Sequence, residues 1–228
     1  MKLDEARIAE LLKPFLRDDS QKPAALSPAQ CESISMYIDI LLLWNARVNL
    51  TAVREPEEIV TRHFGESMFA ARLLFPDSGE GSRSRPSTKA QHVIDVGSGA
   101  GFPGLPIKIW AREVKLSLIE SNQKKATFLR EVIRKLGLEK AEVFAVRAED
   151  YSGAKGDVVT LRAVERFDAI MPVVSELVAS PGRLAVLVGE AQVENVRELA
   201  PDLQWAPPHS LPMSANRTVI IGSKYQDK

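Results

Sequence analysis

The residues with the clearest chemical potential are a run of glycines framed by two carboxylates. Asp95-Val96-Gly97-Ser98-Gly99-Ala100-Gly101-Phe102-Pro103-Gly104 follows the apolar start of a buried-type strand, and Glu120 closes the next such strand. Glycines at the end of a first strand let the chain turn tightly and let a ligand approach the backbone amides. Two readings compete. Gly99, Gly101 and Gly104 make a GxGxxG, which suits a dinucleotide pyrophosphate at a helix N-terminus and a nicotinamide-dependent oxidoreductase. Gly97, Gly99 and Gly101 make a GxGxG, which suits S-adenosylmethionine, a cofactor with no phosphate to hold. Glu120 could accept hydrogen bonds from the ribose of either. Asp95 favours the second reading, because a carboxylate there repels a pyrophosphate and attracts the cationic amino group of a methionine moiety. Pro103 and Pro106 are expected to interrupt the smooth glycine-to-helix passage of the dinucleotide fingerprint. A glycine turn with no ligand is the bland alternative, and the paired carboxylates argue against it.

If the cofactor is a methyl donor, the acceptor chemistry is narrowed by what the chain lacks. Methylating carbon 5 of a pyrimidine needs a nucleophilic cysteine, and the single cysteine, Cys31, falls in an N-terminal helical segment. Methylating an exocyclic amine in adenine normally uses an Asn/Asp-Pro-Pro-aromatic turn after the fourth strand, where this chain has Thr160-Leu161-Arg162-Ala163-Val164. His63, His92 and His209 have no metal-ligand spacing, so no metal is expected. The chemistry must therefore run on positioning. Ring N7 of a guanine fits, since its lone pair lies free in the ring plane and needs no general base. Arg147, Arg162 and Arg217 are the candidates to orient such a base, with Arg147 and Arg162 nearest the reaction. Arg162 is the strongest, because it lies where the fourth strand should open onto the pocket. Arg147-Ala148-Glu149-Asp150 follows the third strand, where Glu149 or an adjacent amide could read an adenine edge; a solvated loop is the plainer reading.

These groups need a scaffold, and the periodicities describe one. Residues 1–75 show helical spacing only: Leu3 to Phe15, a second helix capped by Ser27-Pro28-Ala29-Gln30, and a third from Pro56 to Leu74. Residues 76–91 are polar and rich in Gly, Ser and Arg, as in a flexible linker. From residue 92 strands alternate with helices to residue 228, which implies a mainly parallel α/β sheet covered on both faces. Strand-like segments at Gln204–Leu211 and Thr218–Ile221, with no helix between them, predict a terminal antiparallel pair. The chain has 228 residues, 30 Lys+Arg against 30 Asp+Glu, and 45% hydrophobic residues. A neutral balance argues against indiscriminate binding to polyanions and leaves room for a local basic mouth, with Lys124, Lys125, Arg147, Arg162 and Arg217 as its candidates. One cysteine, an acidic start with no leader-like apolar segment and no long apolar run predict a cytoplasmic protein without membrane contact.

Other segments carry a family resemblance. Trp44-Asn45-Ala46-Arg47-Val48-Asn49-Leu50-Thr51 resembles the "WNxxxNLT" signature of the RsmG (GidB) family of bacterial small-subunit ribosomal RNA guanine-N7 methyltransferases. Arg62-His63 with Glu66-Ser67, the glycine loop, Lys124-Lys125-Ala126-Thr127-Phe128-Leu129 and Arg162-Ala163 continue the match in order. The resemblance implies a class I S-adenosylmethionine-dependent methyltransferase fold: Rossmann-like, with a mainly parallel seven-stranded sheet and an N-terminal helical extension. It implies 16S ribosomal RNA of the small subunit as substrate and partner, with the protein expected to act as a monomer. By position, the family's cofactor contacts fall on Gly97, Phe102, Ala148, Glu149 and Arg162, while Asn49, Arg62 and His63 fall on its N-terminal motifs near the substrate. Three positions depart from the family pattern. Glu66 stands where Asp is common, Leu161 where Ser is common, and Val188 where Lys is common; the last removes a positive group expected beside the pocket. Loss of turnover, leaving an RNA-binding module that keeps the cofactor, is the alternative that Leu161 and Val188 raise.

Overall fold

The computed structural model describes residues 3–17, 25–78, 90–162, 164 and 166–225. Most of the expected linker, 79–89, lies outside the described residues, as does Ala163; Pro76–Ser78 form a short 3-10 turn. Helix α1 (Glu5–Leu12) starts at Asp4, whose side chain accepts the Arg7 N–H. Helix α2 (Pro28–Asn45) begins with the expected capping box between Ser27 and Gln30, with Pro28 in the first turn. The Gln30 amide also donates to the carbonyls of Ile109 and Trp110, so one residue caps its own helix and ties it to the sheet domain. The third expected helix is continuous from Pro56 to Leu74, but its middle is widened. Helix α3 (Pro56–Glu58) passes into a π turn at Ile59–Gly65 and then into α4 (Glu66–Leu74). Phe15 packs against Gly65 so closely that a Cβ there would stand 2.6 Å from its ring.

The sheet domain contains β1 (His92–Val96), α5 (Gly104–Trp110), β2 (Lys115–Ile119), α6 (Gln123–Lys135), β3 (Ala141–Phe144) and β4 (Gly156–Arg162). It continues with α7 (Phe167–Glu176), β5 (Val178–Gly189), α8 (Val193–Leu199), β6 (Gln204–Trp205), β7 (His209–Ser210) and β8 (Arg217–Lys224). Strand order is β3-β2-β1-β4-β5-β8-β6, with β7 also pairing β8. The first five strands are parallel and β8 is antiparallel to β5. The expected terminal antiparallel pair is present, with its first member split into two short pieces on one edge of β8. Two helices had no sequence expectation, α5 and α8. Pro106 does not interrupt the passage from loop to helix, contrary to the reading above. It is the third residue of α5, where a backbone N–H has no helical partner to lose.

One face of the sheet shares a continuous apolar core with the N-terminal helices, through Ile8, Leu12, Ile34, Leu41, Phe64, Leu105 and Phe128. The other face is covered by α7 and α8 through Met171, Val174 and Val196. Leu161 and Val188 are buried in that second core. Their apolar character is therefore packing; neither lines the cavity described below. No helix among the described residues is long and apolar enough to cross a membrane.

Candidate active site

A cavity of about 650 Å3 opens at the carboxyl ends of β1 to β4, beside the switch point where the sheet runs outward in both directions from β1 and β4. This is where open α/β sheets place ligands, and the volume is that of a small-molecule site. Its floor is the loop after β1. Gly97, Gly99 and Gly101 all have positive φ, at +64°, +57° and +89°, as such a tight turn requires. They serve different ends. A Cβ on Gly97 would strike Val164, and one on Gly101 would strike the Tyr37 hydroxyl and Leu105. A Cβ on Gly99 would meet no atom closer than the Gly97 carbonyl at 3.8 Å, so that space belongs to the cavity. Gly101 itself does not line the cavity.

Glu120 stands at the cavity edge, where its carboxylate accepts the N–H groups of Gly99 at 2.8 Å and Asn122 at 2.7 Å. It thereby joins the glycine loop to the start of α6. Asp95 requires a correction. It is fully buried beneath the loop and does not line the cavity, so it offers no direct contact to a cofactor amino group. One carboxyl oxygen accepts the Thr160 hydroxyl at 2.7 Å and the other has no side-chain hydrogen-bond partner. Burial raises this carboxyl to about 6, against the opposing pull of the Thr160 hydroxyl and other donors.

Phe102 lines the cavity, as its expected place beside the cofactor requires. Tyr37 of α2 stacks on it with centroids 5.4 Å apart and planes within 3°, and His63 stacks on it at 4.9 Å. Packed against both rings, it contributes to the cavity wall. The Tyr37 hydroxyl donates to the Ala100 carbonyl, so the N-terminal helices hold the floor of the cavity. Tyr37 belongs to no motif, and its signal in the sequence is an apolar position on the inner side of α2.

The expected Arg62-His63 motif falls in the π turn. Arg162, at the end of β4, donates to the carbonyls of Arg62 and His63 and to His63 Nδ1, the last at 2.8 Å. Its side chain is only 8% exposed and lies 3.4 Å from Glu66, which also pairs with Arg217 at 3.1 Å. Arg162 therefore reaches the cavity wall with much of its donor capacity spent on the protein. Arg217 is anchored on Glu66 and does not line the cavity, and Arg62 is exposed and paired with Glu58 at 2.9 Å. Arg62 likewise lies outside the cavity lining. Burial, then the charges of Arg162, Arg62 and Arg217, lower the His63 imidazole to about 3, so it is neutral.

Asn49, expected near the substrate, is exposed and outside the cavity lining. The asparagine that matters is Asn45. Its amide donates to the Thr51 carbonyl and accepts the N–H groups of Leu50 and Thr51, fixing the segment after α2. Thr51 lines the cavity and went unflagged as a site residue, although it ends the signature. Arg147, Ala148 and Glu149 line the far wall, with Ala148 buried and its neighbours exposed. Lys125 and Arg166 complete a basic rim with Arg147; Lys124 is exposed outside it. Arg166 had not been singled out. Among the described residues no three His, Cys, Asp or Glu side chains are placed to hold a metal ion.

Comparison with known proteins supplies the family. The model for GidB, rRNA small subunit methyltransferase G, matches residues 30–216. A curated relative from Desulfitobacterium hafniense (strain Y51), "Ribosomal RNA small subunit methyltransferase G", is 36% identical over 178 residues, 76% of this chain and 69% of that protein. One of the same name from Aquifex aeolicus (strain VF5) is 40% identical over 152 residues, 67% of this chain and 73% of that protein. Among solved structures, a ribosomal protein L11 methylase from Lactobacillus delbrueckii subsp. bulgaricus superposes with a TM-score of 0.55 at 13% identity, covering 71% of this chain and 80% of that one. P. horikoshii TYW2 in complex with MeSAdo gives 0.51 at 16%, covering 60% and 58%. These structures establish the class I methyltransferase architecture, and the sequence relatives establish more: the chain belongs to the rRNA small subunit methyltransferase G family.

Proposed function

We propose that this protein transfers a methyl group from S-adenosylmethionine to N7 of a guanine in 16S ribosomal RNA of the small subunit. Family membership supports the donor and the RNA class. The residues fit the donor: a cavity of about 650 Å3, an open wall at Gly99, and a carboxylate at the end of β2. Gly97, Gly99 and Ala148 would line its bed, Glu120 would hold its ribose, and Glu149 would meet its adenine edge. When bound, S-adenosylmethionine supplies an electrophilic methyl carbon.

The observation that carries the choice of N7 is that, among the described residues of the buried part of the cavity, the groups able to take a proton, His63 and Glu120, are both already engaged by the protein. His63 has Nδ1 occupied by Arg162 and Nε2 by Thr51. Glu120 is held by two backbone amides. A nucleophile with a ready in-plane lone pair needs nothing from either, whereas a hydroxyl or an amine must lose a proton. The protein's task is then to orient the base, exclude water and hold the loop still. Arg162 acts by positioning His63 and the π turn, and the rim of Lys125, Arg147 and Arg166 meets the RNA backbone.

The test is transfer of labelled methyl to small subunits and to stripped RNA, with identification of the modified nucleoside. 7-Methylguanosine is expected. A different methylated nucleoside would overturn the choice of N7. Calorimetric binding of NAD(H) without binding of S-adenosylhomocysteine would overturn the choice of cofactor. Cofactor binding with no transfer would point to a binding module instead.

A further inference from the structure

We infer that Thr51 is an oriented hydroxyl donor that reads the substrate base, selecting a 6-oxopurine over a 6-aminopurine; this rests on the proposal that the acceptor is a guanine. Thr51 is pinned from several directions. Asn45 holds its N–H and its carbonyl, and its Oγ1 accepts the Val53 N–H at 3.1 Å and lies 2.7 Å from His63 Nε2.

The proton on His63 is assigned by its other neighbour. Arg162 Nη2 lies 2.8 Å from His63 Nδ1, and a guanidinium has only donors. Nδ1 must therefore be the acceptor, and the neutral ring carries its hydrogen on Nε2. The strongly lowered basicity of His63 agrees with a neutral ring. His63 Nε2–H then donates to Thr51 Oγ1, which already accepts from Val53. Both lone pairs of the hydroxyl are filled, so Thr51 can give a hydrogen bond and cannot take one. Its own hydrogen has neither neighbour as an acceptor, and the residue lines the cavity. Stacking of His63 on Phe102 fixes the ring plane through which this orientation is transmitted.

A donor that cannot accept distinguishes the two purines at their sixth position. The guanine carbonyl O6 accepts; the adenine amino group would set one donor against another. The hydroxyl is also neutral. N7 methylation leaves the base cationic, and a neutral donor on O6 does not repel that product as an arginine in the same place would.

The experiment compares wild type, Thr51→Val and Thr51→Ser on reconstituted small subunits. The guanine that wild type modifies is left unchanged in one set and replaced by 2-aminopurine, which lacks O6, in the other. Expected for T51V is a fall in kcat/KM of roughly ten- to a hundredfold on guanine, the scale of one lost specific hydrogen bond. T51S should stay near wild type, S-adenosylhomocysteine affinity should be unchanged, and T51V and wild type should be equal on 2-aminopurine. An equal loss on both bases, or wild-type turnover of T51V on guanine, would overturn the role. Nitrogen-15 NMR of His63 in the wild-type protein tests it without any variant: protonated Nε2 with bare Nδ1 supports it, and the opposite tautomer refutes it. Wild type that methylates no guanine fails the functional proposal itself; wild type that does, with T51V unaffected, fails Thr51 alone.

Discussion

Tyr37 lies parallel to Phe102, with ring centroids 5.4 Å apart, and its hydroxyl donates to the carbonyl of Ala100. A residue of the second N-terminal helix thus holds the cavity floor built by the glycine loop. Burial raises the phenol well above its usual value, so it remains a donor. Tyr37→Phe leaves the Ala100 carbonyl without this donor and should cost about 1–2 kcal/mol in urea denaturation. Tyr37→Ala should cost about 3–5 kcal/mol through the cavity it opens. S-adenosylhomocysteine affinity should fall in Y37F, read by calorimetry. Leu43→Ala, at a 66% exposed position of the same helix, should leave both measurements unchanged.

The glycines of the loop should separate by readout. Gly101→Ala sets a Cβ against Tyr37 and Leu105 at φ +89°, so thermal unfolding should show a large loss of stability. Gly99→Ala meets no protein atom closer than 3.8 Å and should cost only about 1 kcal/mol of backbone strain. It should nonetheless abolish S-adenosylhomocysteine binding, because the added methyl enters the cavity. Retained affinity in G99A would show that the ligand does not approach the loop there.

The sheet was legible because its strands are short apolar runs bounded by turn residues, and Ser27, Pro28 and Gln30 announced α2 through local capping chemistry. The glycine loop and Glu120 were legible because both sit at strand ends, where chain order predicts position. What was not legible depends on tertiary geometry. The π turn at Ile59–Gly65 ends where Phe15 closely approaches Gly65, a contact with no local signature. Asp95 reads as a ligand contact from its place before the glycines, yet the pleat turns it inward onto Thr160. Asn49 and Asn45 stand in the same motif with the same side chain, and only the turn after α2 decides which one works.

Asp95 and His63 should bend stability in opposite directions with pH. The Asp95 carboxyl is raised to about 6 from 3.8, chiefly by burial, so the folded state holds its proton more tightly. That contribution favours folding at low pH and is lost as pH rises from about 4 through 6. His63 is lowered to about 3, so the unfolded chain takes up its proton first and stability is lost as pH falls below 6.5. The two slopes oppose each other between about pH 4 and 6. Relative to wild type, Asp95→Asn should gain about 2 kcal/mol from pH 4 to pH 7, and its acid sensitivity should become steeper. Urea denaturation across that range checks it, and parallel curves would assign the pH dependence to other groups.

Glu66 is the shared partner of two arginines, at 3.4 Å from Arg162 and 3.1 Å from Arg217, with its side chain only 5% exposed. Its carboxyl is raised by burial and pulled back by Arg162, then Arg217, then Arg62. Glu66 stands where the family resemblance implies Asp, and the longer side chain keeps the charge. Glu66→Gln removes that charge from beside a guanidinium that is itself buried, the situation in which breaking a pair costs about 3–5 kcal/mol. Because Arg162 also holds His63 Nδ1, E66Q should weaken turnover beyond its effect on stability. Glu66→Asp keeps the charge and should restore most of both. Denaturation midpoints and kcat/KM measured on E66Q and E66D together test this: equal losses in the two variants would assign the position to packing, and a loss confined to E66Q would assign it to the charge that steadies Arg162.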